Sequence, residues 1–382
     1  MVITSDFQSD DRGSIPLTCS FMKYLFFVQG EGRGHLTQAL ALKEKLEKRG
    51  QEIVAIITGE DSKHKLPAFF KEQISCPLFT IDSPNFIIDK QEKGIKVFAS
   101  TLLTIWRLPR YVSAVKKIKK IVADLNPDTL VNFYEPLAGT YYRLYKNKRP
   151  MFCIAHHYFI RHQVFKFPKI NKLELWSFQF YNWLTAPSQA GKIALSFTAE
   201  ADEPQKKLFI CPPLIRSAVK QQPATASNFI LVYLLNAGYS REIINWGQTH
   251  HDVNVEAFWN RPDKEEETYY GQNLVFHRLS GPKFINCLAN CHTYVATAGF
   301  DSIAEAAYLQ KKILMIPTKN HFEQRCNAAD AERAQVSASA KHFDLSLITD
   351  NKIKAHPPEA LDRFKEWVDN YDDKIVNLLE KQ

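Results

Sequence analysis

The sequence predicts an α/β protein of two domains, each built around a parallel β-sheet. Three observations predict it. At 382 residues the chain is too long for one ordinary α/β core and suits two domains of about 150–200 residues. Short, continuously apolar runs recur, as in strands covered on both faces. Stretches with helical spacing lie between them, and strand–helix alternation dictates parallel pairing with right-handed crossovers.

The elements follow in order. Residues 1–21 are polar, lack the basic and apolar regions of a signal peptide, and are expected to be a disordered extension. Tyr24–Val28 is the first strand, followed by a glycine-rich turn and a helix in which Ala39, Leu42 and Leu46 line one face. Gly50 stops that helix. Ile53–Thr58, Thr129–Phe133 and Met151–Ala155 are further strands. Turn residues from Cys211-Pro212-Pro213 to Thr225 break the pattern, which places a boundary between domains 22–217 and 218–382. A second alternation gives strands at Phe229–Leu235, Val253–Trp259, Leu274–Phe276, Tyr294–Thr297 and Ile313–Ile316. Pro358–Leu379 reads as a helix that returns to the first domain.

Composition narrows the class. No apolar run reaches the roughly 18 residues that a bilayer span requires. Seven scattered cysteines form neither a disulfide framework nor a zinc motif, and fit the reducing cytoplasm. Net charge is +8, but Arg107–Lys172 alone holds fourteen Lys/Arg against three Asp/Glu. That excess expects an anionic partner. No nucleic-acid motif accompanies it. With the neighbouring Leu102, Leu103, Ile105, Trp106, Tyr111 and the aromatic-rich Tyr158–Trp183, it points to an anionic membrane surface or a phosphorylated acceptor. A location peripheral to the inner face of the membrane follows from that reading.

Three clusters carry chemistry, each at the carboxyl end of a strand, where open α/β sheets bind ligands. In Gln29-Gly30-Glu31-Gly32-Arg33-Gly34-His35 the glycines allow a tight turn and close approach to a ligand at a helix N-terminus. His35 stands where a dinucleotide fingerprint needs its third glycine, which argues against NAD. Its imidazole can take the proton of a sugar hydroxyl. A purely structural loop is the other reading.

In the second cluster Gly299 lets backbone N–H groups of Phe300, Asp301 and Ser302 point at a diphosphate, and Glu305 can accept both ribose hydroxyls. A capping box of Ser302 with Glu305 competes with that reading. Glu323 and Gln324, opening a helix after Ile313–Ile316, can hold hexose hydroxyls or merely start the helix. Glu135 ends a strand as a carboxylate partner for His35 or as an ordinary loop acid, and His156-His157 can line the acceptor side. No Asp-x-Asp seat for a divalent ion on a diphosphate occurs, so no metal and no other cofactor is expected.

The Gly30-x-Gly32-x-Gly34-His35 turn resembles the N-terminal loop of MurG-type glycosyltransferases. The spacing of Gly299, Asp301, Ser302 and Glu305, with Glu323, Gln324, Asn327 and Ala328 beyond, is similar to the donor signature of MurG and the UDP-glycosyltransferases. The resemblance spans about Met22 to Asp330 in element order. It implies a GT-B fold, two Rossmann-like domains with parallel sheets facing across a cleft. It also implies an inverting, metal-independent transfer of a hexose from a nucleotide-sugar, a UDP-sugar by that pattern. His35 would be the base, Gly299, Asp301 and Ser302 would hold the diphosphate, Glu305 the ribose, and Glu323 and Gln324 the sugar. Two positions depart from the pattern: Thr297 replaces a histidine, and Asp301 replaces a neutral asparagine. A hydroxyl acceptor is expected, with a lipid-linked or cell-envelope compound as one candidate and lipid, polysaccharide and natural product left open. A nucleotide-sugar hydrolase of the same fold and a non-catalytic sugar-nucleotide-binding protein are the alternatives.

Overall fold

A computed structural model describes residues 21–30, 32–60, 66–84, 107–169, 171–261, 263–353 and 357–381. Residues 1–20, and Leu102, Leu103, Ile105 and Trp106 of the expected apolar flank, lie outside the described residues.

The first sheet holds β1 (Lys23–Val28), β2 (Glu52–Gly59), β3 (Leu78–Ile81), β4 (Thr129–Phe133), β5 (Met151–Ala155), β6 (Gly191–Leu195) and β7 (Leu208–Cys211). Their order is β3-β2-β1-β4-β5-β6-β7, with every pairing parallel. The second sheet holds β8 (Phe229–Leu234), β9 (Asn254–Trp259), β10 (Glu267–Tyr269), β11 (Leu274–Arg278), β12 (Thr293–Thr297), β13 (Lys312–Ile316) and β14 (Ala338–Ser339). It runs β10-β11-β9-β8-β12-β13-β14, parallel except for β10. Among these strands β3, β6, β7, β10 and β14 escape the periodicity reading, being short or opened by polar residues.

The order reverses beside β1 and β4 in one sheet, and beside β8 and β12 in the other. At such switch points the crossover helices diverge and leave a crevice at the strand carboxyl ends. The turns after β1 and β4 and the turn after β12 therefore face one another across the molecule.

Helix Gly34–Lys48 packs on the first sheet through Leu36, Ala39, Leu42 and Leu46. It ends at a left-handed Gly50 whose N–H bonds to the Glu47 carbonyl. The C-terminal segment breaks into two helices, Pro358–Asn370 and Lys374–Glu380. It returns to the first domain: Trp367 Nε1 donates to the Ser196 carbonyl at 3.1 Å, and Arg49 pairs with Asp373 and Glu380. Ile375, Val376 and Leu379 are fully withdrawn from solvent there.

Candidate active site

Each glycine of the first turn has a separate physical reason. A Cβ on Gly30 would sit 1.8 Å from the Gly59 carbonyl, so the ends of β1 and β2 could not converge. Gly32 has φ +83°, and a Cβ on Gly34 would lie 2.3 Å from Asp301 Oδ2. That last approach is between domains. It delivers His35, one residue on, to the cleft.

His35 is ringed by aromatic and polar groups from both halves. Its imidazole stacks against Tyr134 at 5.4 Å and lies 5.5 Å from the His157 ring. Tyr134 and His157 stack at 4.0 Å. Tyr134 holds a left-handed backbone at φ 63°, which a bulky residue adopts only where the surroundings enforce it. His35 Nδ1 faces Gln38 Oε1 at 3.4 Å, one helical turn along, which leaves Nε2 as the proton acceptor. Burial, then the neighbouring His157, push the His35 pKa down to about 4, so the ring is neutral at physiological pH.

The residues expected to bind the donor gather opposite. Asp301 opens helix Asp301–Tyr308 and accepts from Gln38 Nε2 at 2.8 Å. Burial pushes its carboxyl up to about 6 despite that bond. No side chain caps this helix, so the competing capping box of Ser302 with Glu305 is not formed. Glu305 instead takes both Nε and Nη2 of Arg216 at 2.6 Å each. Gly299 donates its own N–H to Thr297 within the turn, at 2.7 Å. The first-turn N–H groups of Asp301 and Ser302 have no intrahelical acceptor, as at any helix start. The Phe300 ring stacks on His156 of the first domain at 4.1 Å.

Glu323 and Gln324 open helix Phe322–Arg333 and separate in role. Glu323 Oε1 lies 2.9 Å from His157 Nε2 across the cleft. Burial opposes its charge, but His157, His321 and His35 hold it well below the usual carboxylate range. Gln324 turns its carbonyl oxygen back onto the Thr318 N–H at 2.8 Å. Further contacts cross the cleft between Arg325 and Glu174 and between Arg333 and Glu200.

Glu135 does not join His35. Its Oε1 accepts from the Leu137 N–H, capping helix Pro136–Leu144, and from Ser83 Oγ at 2.7 Å. Its side chain is fully buried, and burial pushes its pKa up to about 7. The place beside His35 expected for Glu135 is taken by Gln38, an amide readable only as the residue three positions along the same helix face. The adjacent histidines lie past the end of β5, in a 3-10 turn, and part ways. His156 Nδ1 bonds to the Leu195 carbonyl at 2.7 Å, whereas His157 enters the site. His157 and Arg216 carry no spacing signal, and only the tertiary fold brings them in.

Two switch-point crevices that face one another, with a neutral imidazole on one wall and acidic and amide groups on the other, make up a GT-B glycosyltransferase. The family model described as Glycosyl transferase family 1 matches residues 22–354, and the chain belongs to that family. No curated protein matches it. Solved structures share the fold. The calicheamicin glycosyltransferase CalG4 is 15% identical with TM-score 0.60, covering 94% of this chain and 98% of its own. MurG of Acinetobacter baumannii is 14% identical with TM-score 0.57, covering 94% of this chain and 100% of its own. UGT2 of Phytolacca americana, complexed with UDP-2fluoro-glucose and pterostilbene, is 10% identical with TM-score 0.62, covering 94% and 100%.

Proposed function

We propose that the chain transfers a hexose from a nucleotide-sugar, a UDP-sugar by its signature, to a hydroxyl acceptor by direct, inverting displacement without a metal. One observation carries this: His35, held by Gln38, shares a single cluster with Asp301 and Glu323 of the opposite domain. His35 Nε2 takes the acceptor's hydroxyl proton as its oxygen bonds to the anomeric carbon. The bond from that carbon to the diphosphate breaks, and the leaving charge settles at the first turn of helix Asp301–Tyr308. The charge of Glu323 raises the basicity of His35 from across the cleft, opposing the burial that lowers it. The bound UDP-2fluoro-glucose of the Phytolacca enzyme supports a uridine donor. The test is thermal stability with UDP, GDP, dTDP and ADP in chelator. A cognate diphosphate at about 100 times its Kd is expected to add roughly 2.7 kcal/mol. A shift seen only with added magnesium or manganese would overturn the metal-free reading.

The acceptor side of this proposal includes docking on an anionic membrane. Among the described residues no helix is long and apolar enough to cross one. Helix Lys172–Thr185, however, presents Leu173, Trp176, Phe180 and Trp183 at helical spacing, 69%, 63%, 44% and 50% exposed. Helix Leu108–Leu125 buries Tyr111, Val115, Ile118 and Val122 and turns Lys116, Lys117, Lys119 and Lys120 outward. Of the expected inserting aromatics, Phe159 and Phe165 are core residues, while Phe167 and Trp176 face outward. An exposed aromatic stripe beside a cationic face suits a lipid interface.

A further inference from the structure

Arg33 and Arg216 bring two guanidinium groups to the same part of the cleft, and neither belongs to the donor signature. Arg33 sits in the glycine-rich turn after β1, and its guanidinium lies over the Phe69 ring at 5.4 Å. The turn that carries it meets the second domain, where a Cβ on the next residue, Gly34, would lie 2.3 Å from Asp301 Oδ2, and its charge bears on the half-buried Tyr233 of β8. Burial lowers its pKa, yet among the described residues its guanidinium makes no hydrogen bond and no ion pair. A half-withdrawn cation without an anion is costly unless a ligand supplies one.

Arg216 arrives from the other side, at the end of the segment that leaves β7. Its fork is spent on Glu305, and its charge also bears on Tyr233, Asp301 and Tyr294. Two carboxyl groups, Asp301 and Glu305, therefore stand where the sequence pattern seats a diphosphate. Unassisted, they would repel it. The two guanidinium groups supply the missing positive charge, and their planar forks match phosphate oxygens in pairs.

We propose that Arg33 and Arg216 clamp the donor's diphosphate from opposite domains, and that Arg216 passes from Glu305 to the phosphate as the donor enters. The exchange frees both Glu305 oxygens for the ribose hydroxyls, so the buried carboxylate never loses its donors. It also links loading to geometry, because a donor seated against Arg33 spans both domains. This clamp rests on the nucleotide-sugar reading, and the probes below separate the two.

Binding of inorganic pyrophosphate, UDP and uridine to the full chain is measured by calorimetry in chelator. Arg33→Gln is expected to weaken pyrophosphate and UDP by at least about tenfold and leave uridine unchanged. Arg33→Lys, which keeps the charge and loses the fork, falls between. Glu305→Gln releases Arg216 and tightens pyrophosphate severalfold. Melting curves identify any variant that has lost its fold, and the lysine variant then carries the comparison. If pyrophosphate fails to bind the wild type, or binds Arg33→Gln equally well, the clamp is wrong. Unchanged pyrophosphate affinity in Glu305→Gln removes the hand-over. If pyrophosphate binding depends on Arg33 but no nucleoside diphosphate binds, the clamp stands and the nucleotide-sugar donor falls.

Discussion

Gln38 Nε2 donates to Asp301 Oδ1 at 2.8 Å across the cleft, while Gln38 Oε1 faces His35 Nδ1 at 3.4 Å. One amide thus connects the imidazole of the first domain to the carboxyl at the head of a helix in the second. Where a carboxylate would add basicity to the histidine, the amide only orients it. The negative charge is kept one residue further away, on the wall where the sequence pattern seats the donor.

Asp301 is expected to make donor binding proton-linked. Facing it are Gln38, Glu305, His157 and Arg216, and its pKa is raised to about 6. An arriving diphosphate raises it further, so the complex takes up a proton. Affinity is then greatest below about pH 6 and falls as the pH rises, by up to about tenfold per unit. Asp301→Asn cannot ionise and is expected to bind UDP more tightly than wild type at pH 8, with a flatter profile. Calorimetry at pH 5.5, 6.5, 7.5 and 8 tests this, and equal slopes in both proteins would refute it.

The proposed mechanism divides the work between His35 and Glu305. His35→Ala is expected to cut turnover by at least about a hundredfold, the scale for a general base, with donor affinity largely kept. Glu305→Ala should weaken donor binding. Because the His35 pKa lies near 4, no histidine-dependent fall in rate is expected between pH 6 and 8. Equal loss of donor affinity in the two variants would show that their roles are misassigned.

Glu135 carries a stability signature instead of a catalytic one. Its pKa is raised to about 7 by burial, so the folded chain binds its proton more tightly than the unfolded chain does. Stability from this group is full below the unfolded pKa and is lost as the pH rises through about 7. The full loss is on the order of 3 kcal/mol. Glu135→Gln should therefore outlast wild type in urea at pH 8 and match it near pH 4.5. The reverse ranking at pH 8 would mean the carboxylate is satisfied.

The proposed membrane docking has two separable parts. Replacing Lys116, Lys117, Lys119 and Lys120 by Gln should remove a salt-sensitive part of vesicle binding, about 1 kcal/mol per basic residue near an acidic leaflet. Replacing Trp176, Phe180 and Trp183 by Ala should remove a salt-resistant part. Co-sedimentation with phosphatidylglycerol vesicles reads both. Wild-type protein left in the supernatant at low salt would make a soluble acceptor the better account.

Much of this was legible in the residues. Runs such as Thr129–Phe133 and Met151–Ala155 match β4 and β5 residue for residue, because strands buried on both faces read as mainly apolar runs, with the buried Asn132 as an exception within β4. The second sheet's β8, β9, β12 and β13 shift by a residue or less at either end. The strand β6 opens with Gly191 and Lys192, and β7 has four residues, so neither stands out by pattern. At the site, the glycine turn and His35 were visible because local geometry demands them. Gln38 and Arg216 were not, since each acts through a partner more than 80 residues away, at 263 and 89 positions respectively, and His157 was visible as a strand-end histidine but its approach to Glu323, 166 positions on, was not. Glu135 misled because the strand-end position that suits a catalytic carboxylate also suits a helix cap.

The return of the last helices to the first domain bears on how the chain is made. Lys45 pairs with Asp372, Gln51 Nε2 bonds to Glu380 Oε1, and Leu379 is sealed beneath them. The first domain's outer wall is therefore finished by residues that follow the whole second domain in the chain. While the second domain is still being translated, helix Gly34–Lys48 waits with its flank uncovered, so the domain made first is the one completed last.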